Sequence, residues 1–272
     1  MKFAYPKDVN YEEIEDRMEL LSFSIATTPL EIFKGDTLID EATGFFYLGE
    51  RDKIFLVTSK HCIFDERFYP DKIVIRLHTD IHDLSKNARR EIELYKNGKP
   101  IWIEHEDKKV DVAMIEIDKE IVQGCYFACF TKEDIFSTKN PKVKKLVYEF
   151  EVGSTLLVVG YPVGLYDRAN NLSIHRGAFL ASKYTIWFEG KPCFLVDSYL
   201  PPGMSGSPVL TATAAFRRTI IVDIPYYLAG ILQGPVQTPY LVTQRGLTAV
   251  SDIGLYYVWY ADLLEEIIKY NY

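Results

Sequence analysis

From Thr43 onward the chain is written in short runs that alternate apolar and polar residues, and a period of two dictates extended strands with one buried face. FFYLG, KIFLVTS, KIVIRLH, REIELYK, PIWIEHE and DVAMIEI form a first series. Runs this short cannot bury their apolar side alone, so they must pair edge to edge and curl over a shared core. Asn97-Gly98, between two of them, signals a tight hairpin, because both central positions of that turn need a positive φ. The segment 118–150 mixes charges and aromatics without a clean period and reads as a crossover. A second series follows: STLLVVGYP, NLSIHRGAFLASKY, TIWFEGKPCFLVDS, SGSPVLTA, RTIIVDIPYYLAGILQG and a last run near LTAV. Gly153, Gly164, Gly190-Lys191-Pro192 and Gly234-Pro235 punctuate it. Two groups of about six strands, with no internal repeat, predict an all-β molecule of two packed six-stranded β-barrels.

The two ends read differently. Residues 8–21 mix Glu and Asp with Val9, Ile14, Met18, Leu20 and Leu21 at helical spacing, which predicts a short acidic helix. VWYADLLEEIIKYNY sets Leu263, Leu264, Ile267 and Ile268 on one stripe and predicts an amphipathic C-terminal helix. The expected organisation is an N-terminal extension over 1–24, a first barrel over 25–140, a second over 141–254 and a C-terminal helix over 255–272.

Composition narrows the classes of function. The 272 residues are 48% hydrophobic and 25% charged, enough for a substantial core, and the 19 Tyr and 16 Phe favour strands. A net charge of −7 leaves no concentrated basic surface for a phosphate backbone, so nucleic acid is not an expected partner, and Lys142, Lys144 and Lys145 read as a solvated face. No apolar run follows the basic residue near the N-terminus, and no stretch reaches the ~18 apolar residues of a membrane span, so neither a signal peptide nor an anchor is expected. Cys62, Cys125, Cys129 and Cys193 include no CxxC pair. Four thiols in such a chain point to a reducing, cytoplasmic setting, with Cys125 and Cys129 as buried thiols rather than a metal or redox pair. No His, Cys and carboxylate cluster has ligand spacing, so neither a metal nor a cofactor is expected.

Three segments carry chemistry: LVTSKHC at 56–62, DVAMIEI at 111–117 and PPGMSGSPV at 201–209. A histidine after a strand, an aspartate opening one and a GxSG turn are each ordinary alone. Their order, with His61 and Asp111 50 residues apart and Asp111 and Ser205 94 apart, is not. TSKHC resembles the TAAHC box of the chymotrypsin-like serine proteases, DVAMI their DIALL box and GMSGSPV their GDSGGPV. The resemblance extends to ATGFF before His61, to GYP at 160–162 and to AGILQG, which is similar to GIVSWG, and so covers about residues 30–270.

This resemblance implies a serine endopeptidase acting on protein or peptide substrates. Ser205 would be the nucleophile, His61 its base and Asp111 the group that fixes the histidine tautomer. The backbone N–H groups of Gly203 and Ser205 would form an oxyanion hole, and Tyr199, Leu200, Gln233 and Gly234 would line the substrate site. Three departures matter. Met204 stands where the secreted relatives keep the aspartate that receives a newly cut N-terminus, so activation by trimming is not expected. Cys62 has no cysteine in 40–50 to pair with. Tyr199 replaces the specificity aspartate, which removes support for cleavage after Lys or Arg and leans the expectation towards an apolar residue.

Rival readings fare worse. An α/β-hydrolase needs a second glycine where Ser207 stands and a histidine after the nucleophile, yet His61, His78, His82, His105 and His175 all precede Ser205. The subtilisin order of triad residues differs, and the nucleophile position holds serine rather than cysteine. The alternative from another class is a protease-fold binding or scaffold protein without turnover. The acidic segment 8–21 could also serve as a docking or inhibitory element rather than a capping helix.

Overall fold

The structure is a computed structural model that describes residues 1–4, 21–212, 216–217, 220–221, 226–236, 241–242, 248–249 and 253–272. After a first strand, β1 (Lys2–Ala4), and a helical stretch at 21–26, β2 (Thr27–Lys34) turns at Gly35, φ +57°, into β3 (Thr37–Leu48). This long hairpin is the spine of the first half. Pro29 obscures β2 in the sequence, and it is tolerated because the ladder from β2 to the next strand begins only at Glu31, where no partner asks for the missing N–H.

Seven antiparallel strands make one curled sheet in the order β6-β5-β2-β3-β4-β10-β9, with β4 (Ile54–Thr58), β5 (Lys72–His78), β6 (Asn87–Glu93), β9 (Trp102–Glu104) and β10 (Ala113–Glu116). The expected first six-stranded barrel does not close among the described residues. Between its edges the chain forms its own hairpin, β7 (Tyr95–Lys96) and β8 (Lys99–Pro100), and β9 is only three residues long. That hairpin turns at Asn97-Gly98 with φ of +53° and +72°, as its sequence predicts.

Alternation along β3 explains the run FFYL. Phe46 joins Leu30, Leu56, Ile73 and Ile115 in the core inside the first sheet. Phe45 and Tyr47 point the other way, into a central core shared with Leu210, Ile231 and Trp259 of the second half. The crossover contributes β11 (Phe127–Cys129), which pairs with β1, and a short helix, Lys144–Glu149.

The second half is a closed barrel, β12-β13-β14-β21-β18-β15. Its strands are β12 (Thr155–Gly160), β13 (Ile174–Leu180), β14 (Cys193–Asp197), β15 (Pro208–Thr211), β18 (Leu228–Pro235) and β21 (Leu255–Tyr260). Between them lie two-residue ladders, β16 (Phe216–Arg217) with β17 (Ile220–Ile221) and β19 (Leu241–Val242) with β20 (Thr248–Ala249). The C-terminal helix expected from residue 255 starts later, as Asp262–Asn271. Leu255–Tyr260 is instead the strand that closes the barrel: Tyr256, Val258 and Tyr260 enter its core while Tyr257 and Trp259 face the central one. The helix then docks Leu263, Leu264, Ile267 and Ile268 into the central core, and Tyr47 donates to Glu265 Oε1 at 2.6 Å. The acidic helix expected over 8–21, and any docking role for it, lies outside the described residues but for Leu21.

Candidate active site

Thr58 closes β4 opposite Ala113 of β10, so the end of one strand and the start of the other share a sheet edge. A single helical turn, Lys60–Ile63, carries His61 just beyond that edge, and Asp111 lies two residues before β10. One carboxylate oxygen of Asp111 accepts the His61 backbone N–H at 2.8 Å, and the other lies 2.5 Å from His61 Nδ1. This double grip favours a proton on Nδ1, so that in the neutral ring Nε2 is the nitrogen that can accept. Asp111 is 13% exposed and His61 50%. Burial disfavours the imidazolium, but the hydrogen bonds to Asp111 and to the Cys62 thiol outweigh it and hold the ring's pKa above its ordinary value. Cys62 Sγ lies 3.6 Å from Nε2.

Ser205 belongs to the loop between β14 and β15, shaped by two glycines. Gly203 has φ +90° and Gly206 φ +84°. A Cβ on Gly203 would stand 2.5 Å from the Tyr161 carbonyl and 2.8 Å from Val163 N, and one on Gly206 2.2 Å from the Thr43 carbonyl. Only glycine fits either place. Around them Met204, Gly206 and Ser207 donate their N–H groups to the Pro201, Leu232 and Met204 carbonyls. Gly203 and Ser205 do not: among the described residues neither N–H has an acceptor. Two unspent donors flanking Met204 are what a developing oxyanion needs.

The loop is fastened to the first half by Thr43, fully buried in β3. Its N–H donates to the Ser205 carbonyl at 3.0 Å, its hydroxyl donates to the Gly203 carbonyl at 2.8 Å, and that hydroxyl accepts the Tyr161 N–H at 3.0 Å. Ser59 Oγ donates to the Leu232 carbonyl, which also accepts from Gly206. Ser205 is thus held against the chain just ahead of His61, with Gly206 abutting Thr58 and Ser59. Among the described residues no hydrogen bond joins Ser205 Oγ to His61 Nε2. ATGFF, whose sequence resembles the strand leading to the histidine, lies in β3, one strand ahead of β4, and the part of Thr43 as a clamp escapes the sequence; a hydroxyl inside an apolar run was the available signal. GYP at 160–162 is singled out in the sequence, but not its hold on the Ser205 loop: Val163, just after it, has φ +45° and donates its N–H to the Pro202 carbonyl at 2.6 Å.

No family model matches the chain, and no curated protein does. Among solved structures, the serine endoprotease from Yersinia pestis superposes with a TM-score of 0.52 at 13% identity, covering 97% of this chain and 67% of its own. This is the fold of the trypsin-like serine proteases. A protease from M. tuberculosis in its active form aligns over 98% of this chain and 87% of its own, with a TM-score of 0.48 and 13% identity.

In this trypsin-like fold the remaining candidates are Tyr199 and Leu200, earlier in the Ser205 loop, and Gln233 and Gly234, near the end of β18. Tyr199 is 67% exposed, whereas Leu200 turns into the barrel core at 4% and Met204 at 1%. An apolar Met204 offers no charge to receive an amine. Gln233 falls where the β18–β21 register slips between Leu232 and Gly234, so it has no opposite number on β21. A Cβ on Gly234 would touch nothing within 4 Å, which leaves that wall open. All four cysteines are buried and free, and burial pushes the Cys129 thiol up to about 12.

Proposed function

We propose that the chain is a serine endopeptidase that hydrolyses peptide bonds in protein or peptide substrates. Ser205 Oγ attacks the carbonyl carbon and passes its proton to His61 Nε2; Asp111 steadies the resulting imidazolium. The carbonyl oxygen, as it gains charge, takes the N–H groups of Gly203 and Ser205, and the imidazolium then returns the proton to the leaving amine. Water repeats the attack on the acyl-enzyme and regenerates the hydroxyl. For the first transfer Ser205 Oγ must come within hydrogen-bond reach of Nε2, a contact that tightens in such sites when substrate occupies the cleft. The observation that carries the reading is the pairing of the two-pronged Asp111 grip on His61 with the two uncommitted donors of the Ser205 loop.

A fluorophosphonate probe tests it, because only an activated serine is phosphonylated with loss of fluoride. Wild type is expected to label and Ser205→Ala is not. Absence of labelling in a folded wild type, alongside peptide binding, would instead favour a binding protein that keeps the fold without turnover.

A further inference from the structure

Strand β13 alternates cleanly: Ile174, Arg176, Ala178 and Leu180 face inward, while His175, Gly177 and Phe179 face out. Ala178 and Leu180 belong to the barrel core. Arg176 is thus a lone cation on an apolar face. Its Nε is buried without a partner, and among the described residues it forms no ion pair. The Tyr199 ring lies beside it, its centroid 5.7 Å from the guanidinium carbon. Asp197, two residues before Tyr199, pairs with outward-facing Phe179, so it sits on the opposite face.

The register places this cation at the end of the barrel that holds Ser205. Arg176 pairs with Val158, and Val158 pairs with Val209 just after the nucleophile loop. Ile174 pairs with Gly160, where a Cβ would lie 3.1 Å from Met204 Sδ. Ser198 Oγ donates to the Gly177 carbonyl, which fixes Tyr199 beside β13. Only Nε is buried, while the residue as a whole is half-buried, so the guanidinium has room for an incoming anion, and a planar fork of N–H groups suits a carboxylate best.

We infer that Arg176, backed by the ring of Tyr199, is the specificity determinant of the substrate cleft, and that it selects an acidic side chain, Glu or Asp, on the acyl side of the scissile bond. This rests on the peptidase reading for its biological meaning, but its physical content is a binding preference. It replaces the apolar preference expected from Tyr199 alone: the tyrosine forms a wall, and the charge comes from the neighbouring strand.

The test separates binding from turnover. Acetylated tetrapeptide amides that differ only in a last residue of Glu, Gln, Leu or Lys are titrated into Ser205→Ala and followed by chemical-shift changes. A charge-assisted pair predicts that the Glu peptide binds about 10- to 100-fold more tightly than the Gln peptide. Adding Arg176→Gln should erase that ratio, and adding Arg176→Lys should keep Glu ahead of Gln; melting curves of each variant check folding. Equal binding of Glu and Gln, preference for Leu or Lys, no binding of the Glu peptide, or a ratio that survives in folded Arg176→Gln overturns the inference. Wild-type turnover is read separately. Selective binding of Glu with no probe labelling sinks the peptidase but not the pocket, whereas cleavage after Leu or Lys with Glu refused sinks the pocket but not the peptidase.

Discussion

Replacing Thr43 by valine keeps the shape of a fully buried side chain and deletes one hydroxyl. That hydroxyl serves two backbone groups, the Gly203 carbonyl and the Tyr161 N–H, neither of which can reach water in its place. Each orphaned group costs about 1–3 kcal/mol, and the added methyl returns about 0.8 kcal/mol, so a loss near 3 kcal/mol is expected. In urea, with a slope of about 1–3 kcal/mol/M, the midpoint should fall by ~1–3 M at unchanged slope. Probe labelling should slow as well, because the Gly203 peptide loses the anchor that, in the proposed mechanism, would aim its N–H at the substrate oxygen. Thr28 supplies the control: it is equally buried, and its hydroxyl donates to the Arg76 carbonyl and accepts the Arg76 N–H, both at 3.0 Å, inside the first sheet. Thr28→Val should destabilise comparably and leave labelling untouched. If Thr43→Val costs under about 0.5 kcal/mol, or labels as fast as Thr28→Val, the clamp argument is wrong.

Gly203→Ala should lower labelling more than it lowers the melting temperature of the barrel, since its Cβ would meet backbone atoms of Tyr161 and Val163 at 2.5 and 2.8 Å and force the loop to move; equal labelling in alanine and glycine forms would refute this. The raised pKa of His61 means its ring stays protonated, and unable to accept the serine proton, to a higher pH than a free histidine. Labelling should therefore rise through a midpoint above the ordinary ~6.5, and Asp111→Asn should shift that midpoint down while slowing the rate. The stability that His61 draws from this pairing is fully present below pH ~6.5 and fades as pH climbs through the raised value. A wild-type midpoint at or below ~6.5 would contradict that electrostatic account.

The triad candidates were legible because each sits in a contiguous box whose local shape the sequence itself enforces: a strand end before His61, a strand start after Asp111, glycines around Ser205. Thr43 was not, since its role depends on a carbonyl 160 residues away. Pro29 hid β2, and a blend of aromatics with the helical stripe beyond it hid β21, where cross-barrel pairing with β14 and β18 decides the conformation. Closure of the first half failed to follow from strand count because the Tyr95–Pro100 segment folds on itself. Arg176 could have been found: an arginine on the inward phase of NLSIHRGAFL breaks the alternation that surrounds it.

The proposed chemistry is owned by neither half. His61 and Asp111 ride on the curled sheet, Ser205 on the closed barrel, and a handful of buried bonds through Thr43 and Ser59 stitch them together. The seam would therefore act as a fuse: a slight parting of the halves would end the proposed hydrolysis while every strand was still in place, so probe labelling should fail at a lower temperature than the one at which the strands melt.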